Sequence, residues 1–373
     1  VIGYNVDGRG DIGCCGRYSL PGAAVKRNVE TVSGPRRATS FDIAQLAGVS
    51  QPTVSRALRG SPTVSAATRQ RIEAIARELH YTVDRAASNL RSGRSRTIAL
   101  LLFRDPTPDE TLINPFFLAM LGSMMAACGA AGYDLLVSFQ QPSSEWDAHY
   151  SDHARADGLI LLGYGDYAEY RPRLEAMARQ GTHFVCWGQV QAIQPGVTIG
   201  CDNVAGGRSA TDLLLSRGRR RISFLGQSSD HYPEFHDRCR GYREALTAAG
   251  TAPDPALQVD AISTTDDGLR ATRELLARGV PFDAIVAASD LIALAAMRVL
   301  AEHRIAVPDA VAVVGFDDIP AAALANPPLT TVTQDANIAG RKLVETLLAQ
   351  IDGEPVEPLI LPTRLVIRQS SEG

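Results

Sequence analysis

The sequence lacks the patterns that mark disulfide, metal and membrane proteins. Its six cysteines, at 14, 15, 128, 186, 201 and 239, form no Cys-x-x-Cys pair and have no His-rich partner segment. Free thiols in a reducing compartment explain them better than disulfides or zinc. Apolar runs such as Thr97–Phe103 are far too short to span a bilayer. Residues 1–35 hold no continuous apolar stretch, so no signal peptide is expected and a cytoplasmic protein is. Catalytic signatures are missing as well: there is no Gly-x-Ser-x-Gly elbow, no P-loop and no metal-spaced His/Asp cluster. His149-x-x-x-His153 has helical metal spacing but lacks the adjacent Glu of a zinc protease, and reads as surface histidines. No enzyme activity, cofactor or metal is therefore expected.

What is present is a soluble composition with an uneven charge. A length of 373 residues implies two or three domains, and 45% hydrophobic with 21% charged residues is ordinary for globular chains. The net charge is −4. Residues 36–96 nevertheless hold eleven arginines against Asp42, Glu73, Glu78 and Asp84, a net of +7. Residues 1–35 carry +1, which leaves −12 for residues 97–373. A small basic module joined to a larger acidic one is the footprint of phosphate binding by the first.

Residues 1–35 are Gly-rich and show no helical or strand period. They read as a disordered arm, an added remnant or an over-extended reading frame. Gly8-x-Gly10-x-x-Gly13 lies here, but too few residues precede it for the strand that a dinucleotide fingerprint needs. Residues 39–59 are different. Thr39 caps a helix, with Asp42 three residues on and Phe41, Ile43, Ala44, Leu46 and Ala47 as its apolar face. Gly48 supplies a tight turn, Ser50 caps a second helix and Pro52 sits in its first turn. Val54, Ala57 and Leu58 face inward, whereas Gln51, Thr53, Ser55 and Arg56 face outward. Ser65 opens a third helix carrying Ile72, Ile75, Ala76 and Leu79. Three short helices with a Gly turn between the first two predict a helix-turn-helix.

From Thr97 strands alternate with helices. Strands are expected at Thr97–Phe103, Asp134–Phe139, Gly158–Leu162, His183–Trp187, Arg221–Leu225, Ala284–Ala287 and Val311–Phe316. Helices are expected at Phe117–Ala131, Tyr167–Gln180, Ala205–Arg217, Arg238–Ala249, Asp267–Arg278, Leu291–His303 and Ile338–Ile351. This alternation predicts two doubly wound parallel α/β lobes with a ligand cleft at the carboxyl ends of their strands.

These residues resemble a known family. Phe41-Asp42-Ile43-Ala44-x-x-Ala47-Gly48-Val49-Ser50-x-x-Thr53-Val54-Ser55-Arg56-x-Leu58 is similar to the signature of the lactose-repressor (LacI/GalR) family of bacterial transcription regulators. The likeness continues in Val64-Ser65-x-x-Thr68-Arg69 and Ala87-x-x-Leu90-Arg91-Ser92-Gly93. In the core it recurs at Asn114-Pro115-Phe116-Phe117, Asp157-Gly158-Leu159-Ile160, Asp202-Asn203-x-x-Gly206, Arg238-x-x-Gly241-Tyr242, Ser289-Asp290, Val313-Val314-Gly315-Phe316-Asp317-Asp318 and Thr330-Thr331-Val332-x-Gln334-Asp335.

The resemblance implies an extension at 1–37, an all-α DNA-binding domain at 38–82, a hinge at 83–96 and a periplasmic-binding-protein-like core at 97–373. Lobe 1 would span about 97–198 and 333–360, and lobe 2 about 199–332 and 361–370. The second helix is expected in the major groove, where Arg56 suits guanine and Gln51 adenine or a phosphate. By family position Gln51 and Pro52 form the operator-reading pair; proline there offers only apolar contact. Thr39, Ser50, Thr53 and Ser55 complete the DNA-contacting set on this module. Arg85, Ala87 and Leu90 belong to the hinge, with Leu90 as the minor-groove wedge. Pairing of two wedges implies a homodimer on double-stranded, pseudo-palindromic operator DNA.

The effector would be a sugar or sugar derivative held by Phe117, Trp187, Glu234, Arg238, Ser289, Asp290 and Asp317. Ser289 stands where the family usually has Asn, which removes an amide. A turn carboxylate at Asp317 and a core aromatic at Trp187 are the competing readings. The chain is thus expected to be a sugar-released repressor of carbohydrate genes. A periplasmic sugar-binding protein shares the lobes, but the basic module argues against it.

Overall fold

The computed structural model describes residues 38–81, 94–103, 113–139, 155–163, 165–191 and 193–372. The expectations placed on 1–37, on Arg85, Ala87 and Leu90, and on His149 and His153 lie outside the described residues. Two units are present, divided after Asp84.

In the first unit, helices α1 (Ser40–Ala47), α2 (Gln51–Leu58) and α3 (Ala66–Glu78) enclose a small core of Ile43, Ala44, Ala47, Val54, Ala57, Val64, Ile72 and Ala76. A capping box starts α1: Asp42 N donates to Thr39 Oγ1, and the Thr39 N–H donates to Asp42 Oδ2 at 2.7 Å. Gly48 ends it at φ +63°, a conformation that a Cβ would oppose. Two details differ from the sequence reading. Phe41 and Leu46 are 71% and 62% exposed, because a module this small can bury only one narrow stripe of α1. Ser50 stands at the N-cap of α2, but its hydroxyl bonds the Thr53 hydroxyl at 2.9 Å rather than a backbone N–H.

The second unit holds two six-stranded sheets. The first is ordered β2 (Asp134–Phe139), β1 (Thr97–Leu102), β3 (Gly158–Leu162), β4 (Phe184–Trp187), β5 (Val197–Cys201) and β11 (Leu359–Leu361), all parallel. The second repeats that winding as β7 (Gln258–Val259), β6 (Ile222–Leu225), β8 (Ala284–Ala287), β9 (Ala312–Asp317), β10 (Thr330–Gln334) and β12 (Thr363–Val366). Among the described residues, only β12 is antiparallel. Every residue of β3, β4, β8 and β9 is buried, as strands covered on both faces require.

Helices α4 (Pro115–Ala130), α5 (Tyr167–Gln180) and α11 (Ala336–Ile351) flank the first sheet. Helices α6 (Asn203–Ser216), α7 (Pro233–Ala248), α8 (Thr265–Ala277) and α9 (Asp290–Glu302) flank the second, with short α10 (Pro320–Leu324) following β9.

The chain crosses between lobes after β5, β10 and β11. Asp202 caps α6 and Asp335 caps α11 just past two of these crossings. Strand β5 therefore belongs wholly to the first lobe, and the crossings come after Cys201, Gln334 and Leu361 instead of the expected 198, 332 and 360. Helices α6 and α7 meet through Gly207 and Gly241. A Cβ on either would lie 2.1 Å from a carbonyl of the other helix. That close approach brings Arg238 beside Asn203.

Candidate functional site: the reading helix and the interlobe cleft

On the DNA module Pro52 and Arg56, one turn apart, are both exposed on α2. Gln51 is half-buried and its amide donates to Ser40 Oγ at 3.2 Å, which fixes it against the start of α1. Ser50 is exposed; Thr53 and Ser55 are half-buried. Thr39 is committed to the cap, its hydroxyl donating to Asp42 Oδ2 at 2.7 Å.

The second site lies between the lobes, outside the carboxyl ends of both sheets, where doubly wound folds bind ligands. Lobe 1 contributes an aromatic wall. Phe103 and Tyr170 rings are 4.4 Å apart, Tyr167 meets Tyr170 edge-on at 5.3 Å, and Trp187 packs on Phe116 at 5.9 Å. A cavity is lined there by Tyr167, Tyr170, Trp187, Gln189 and Gln191, with Pro233 and Glu234 from lobe 2. Burial raises the Glu234 carboxyl above its ordinary value, against the pull of Arg238 and the backbone bond from Gln189.

Lobe 2 contributes charges that are already engaged. Arg238 is 1% exposed and lies over the Phe316 ring at 3.7 Å, with Phe235 at 5.1 Å. Its Nε donates to Asn203 Oδ1 at 2.8 Å, Nη1 donates to the Ala288 carbonyl, and Nη1 stands 3.6 Å from Asp317 Oδ1. Asp317, at φ +114°, accepts from Gln334 Nε2 at 2.6 Å.

Contacts join the two walls. Gln189 N donates to Glu234 Oε1 at 3.2 Å, and its side-chain amide donates to Asp237 Oδ2. Asn114 Nδ2 donates to Ser263 Oγ at 3.0 Å. At the mouth, His231 Nδ1 and Asp166 Oδ2 are 2.8 Å apart, while Tyr167 N donates to the His231 carbonyl.

Of the seven effector residues expected, Trp187 and Glu234 line this cavity. Arg238 and Asp317 form the polar cluster of lobe 2. Ser289 caps α9 and accepts from Ser263 Oγ at 2.8 Å. Phe117 packs on Phe116 at 5.5 Å. Asp290 departs from expectation: Oδ1 accepts from Thr331 Oγ1 at 2.6 Å and Oδ2 from Ile319 N at 2.9 Å, so its carboxylate braces lobe 2. Burial first, then Asp317, raises its pKa well above the carboxylate range. Sequence reading did not single out Tyr167, Tyr170 and Gln189. Their only signal was position, at the start of a predicted helix and just past a predicted strand. The amides of Asn203 and Gln334 lay within quoted motifs, but their hold on Arg238 and Asp317 needed the crossings.

Comparison with known proteins gives this geometry its context. Residues 41–84 match the bacterial regulatory proteins of the lacI family, and residues 211–371 match the periplasmic binding protein-like domain. The HTH-type transcriptional regulator CelR of Thermobifida fusca is 36% identical over 341 residues, covering 90% of this chain and 98% of that protein. CytR of Escherichia coli K12, an HTH-type transcriptional repressor, is 29% identical over 90% of this chain and 96% of its own length. Among solved structures, a CelR–cellobiose complex superposes with a TM-score of 0.67 at 35% identity, covering 90% of this chain and all of that one. A lac repressor dimer bound to operator and the anti-inducer ONPF superposes at 0.78 and 27% identity, covering 90% and 99%. With a helix-turn-helix followed by two doubly wound lobes, and with these relatives along nine-tenths of its length, the chain belongs to the lacI family of bacterial transcription regulators.

Proposed function

We propose that the protein is a homodimeric repressor of carbohydrate-metabolism genes, released from its operator by a sugar that binds between the lobes. The observation that carries this reading is the cavity itself, whose lining comes from both lobes. A ligand there has different contacts when the lobe angle changes, and only such a difference can shift a conformational equilibrium. Aromatic faces at Tyr167 and Tyr170 suit the apolar faces of pyranose rings. Glu234 and Gln189 suit hydroxyl groups. The likeness to a cellobiose-binding regulator favours a β-linked glucose disaccharide.

Residues 38–82 act as the DNA module, 83–96 as its hinge and 97–373 as the effector core, with 1–37 as an extension ahead of them. Gln51, Pro52, Thr53, Ser55 and Arg56 face the operator, with Ser50 on phosphate and Arg85, Ala87 and Leu90 at its centre. The test is a thermal melt of the protein with cellobiose and other sugars, paired with a gel shift on operator selected from random duplexes. A sugar at 100 times its Kd stabilises by about 2.7 kcal/mol. The expected result is that cellobiose raises the melting temperature and releases the operator. A sugar panel that moves neither readout would overturn the reading.

A further inference from the structure

The strongest unexplained arrangement sits where the chain enters the first sheet. Residues 94–96 precede β1 and belong to no strand. The carboxylate of Asp157, just before β3, is occupied by them. Oδ1 accepts from Ser95 N at 2.5 Å and from Ser95 Oγ at 2.8 Å, and Oδ2 accepts from Arg96 N at 2.9 Å. The adjoining main chain is tied as well: Asp134 N donates to the Arg96 carbonyl at 2.9 Å, and Asp157 N to that of Thr97, the first residue of β1, at 2.8 Å. Arg96 holds φ +54°, the left-handed region that a residue with a Cβ rarely adopts. Its guanidinium lies over the Tyr133 ring at 5.2 Å.

A strand can begin at Thr97 without any of this. Backbone groups of Ser95 and Arg96 lie near the surface, where water could satisfy them. What the carboxylate adds is a fixed direction. It holds an otherwise disfavoured turn in the residues that lead into β1. Charge-assisted bonds from two successive N–H groups and a hydroxyl to one carboxylate are strong and geometrically specific. A second tie comes from α11. Arg94 Nη1 pairs with Asp352 Oδ1 at 2.7 Å, but both side chains are well exposed and such pairs contribute little.

We propose that Asp157 is a positioning residue for operator binding: it touches no DNA, and it fixes the exit of the linker from the core. Asp157→Asn keeps the shape and replaces one acceptor oxygen by a donor that faces an N–H. In the full chain the variant binds operator, selected from random duplexes by the unaltered protein, about ten-fold more weakly. Its affinity for a random duplex at matched salt stays the same, since that depends on basic residues and phosphates. Trypsin cleaves after Arg94 and Arg96 several-fold faster, while the melting temperature of the core barely moves. Ser95→Ala removes one of the three bonds to the carboxylate, together with the bond from Thr97 N to Ser95 Oγ, and gives a smaller change in the same direction. Asp352→Asn leaves operator affinity within about two-fold.

Unchanged trypsin rates in Asp157→Asn and Ser95→Ala would sink the clamp itself, whatever the DNA result. Faster cleavage with undiminished operator affinity would sink its positioning role. An equal loss on operator and random duplex would do the same. If Asp157→Asn does not fold, Ser95→Ala decides between these outcomes.

Discussion

The two walls of the cleft are built on opposite plans. Lobe 2 brings Arg238, Asp317 and Asp290, each already bonded within the lobe. Lobe 1 brings aromatic rings that line a small cavity, with the Gln189 amide bonded across to Asp237. The lobes share one strand order, so the contrast does not come from topology. It comes from what buried groups require. A buried charge must be satisfied before any ligand arrives, whereas an aromatic face needs no partner. Lobe 2 is therefore the preorganised wall, and lobe 1 the wall with contact area to offer.

The largest effect that can break this comparison is expected at Arg238. Arg238→Met removes the guanidinium that lies over Phe316 and Phe235, takes the donor from Asn203 Oδ1 and the Ala288 carbonyl, and breaks the buried ion pair with Asp317. Breaking a buried pair from one side costs about 3–5 kcal/mol. Denaturant unfolding of the core checks it. A loss below about 1 kcal/mol, together with lost sugar binding, would show Arg238 to be a ligand group rather than a brace.

Glu234→Gln comes next, as the test of the cavity. Gln has nearly the shape of Glu and its amide oxygen can still accept from Gln189 N, so the substitution should cost the fold little. Sugar affinity by titration calorimetry should fall about ten-fold, the worth of one hydroxyl hydrogen bond whose acceptor oxygen is replaced by an amide donor. Unaltered affinity would move the ligand away from lobe 2's contribution to the cavity.

How much of this contrast the sequence carries depends on the element. β2, β3, β8 and α5 are legible to the residue, since their apolar residues and caps decide them locally. β5, β7, β10, β11 and β12 are not. They run two to five residues, and pairing with neighbours in the sheet, more than their own pattern, makes them strands; for β11 and β12 the neighbour lies across a crossing. The cleft divides the same way. Trp187 and Glu234 are readable as residues of the right type near strand ends. The inward turn of Asp290 is not, because it depends on Thr331, 41 residues away, offering its hydroxyl.

A smaller effect is expected at the cleft mouth, where the contact between lobes titrates. Asp166 raises the His231 pKa above the ordinary 6.5, and Asp230 and Glu169 add to it. A raised histidine pKa means that the contribution is fully present below the ordinary value and is lost as pH rises through the raised one. Sugar affinity should therefore decline modestly from pH 6 to pH 8, if binding uses this bridged arrangement of the lobes. His231→Gln should flatten the decline. A slope that survives the substitution would assign it to another group and leave the mouth without a role in closure.

The smallest effects carry the distinction between engaged and available groups over to the DNA module. Thr39 and Ser50 both stand at helix N-caps, yet only Thr39 bonds the backbone of its helix. Thr39→Ala should cost about 1 kcal/mol of module stability. Ser50→Ala should change stability by less than about 0.5 kcal/mol, because its hydroxyl meets only that of Thr53. An exposed hydroxyl at the start of the reading helix is suited to a phosphate. Ser50→Ala should then weaken operator and random duplex alike by a small factor, seen in salt-matched titrations. If it instead lowers the melting temperature as much as Thr39→Ala does, Ser50 is a cap after all. Its hydroxyl would then belong with the engaged groups of lobe 2 rather than the available ones of lobe 1.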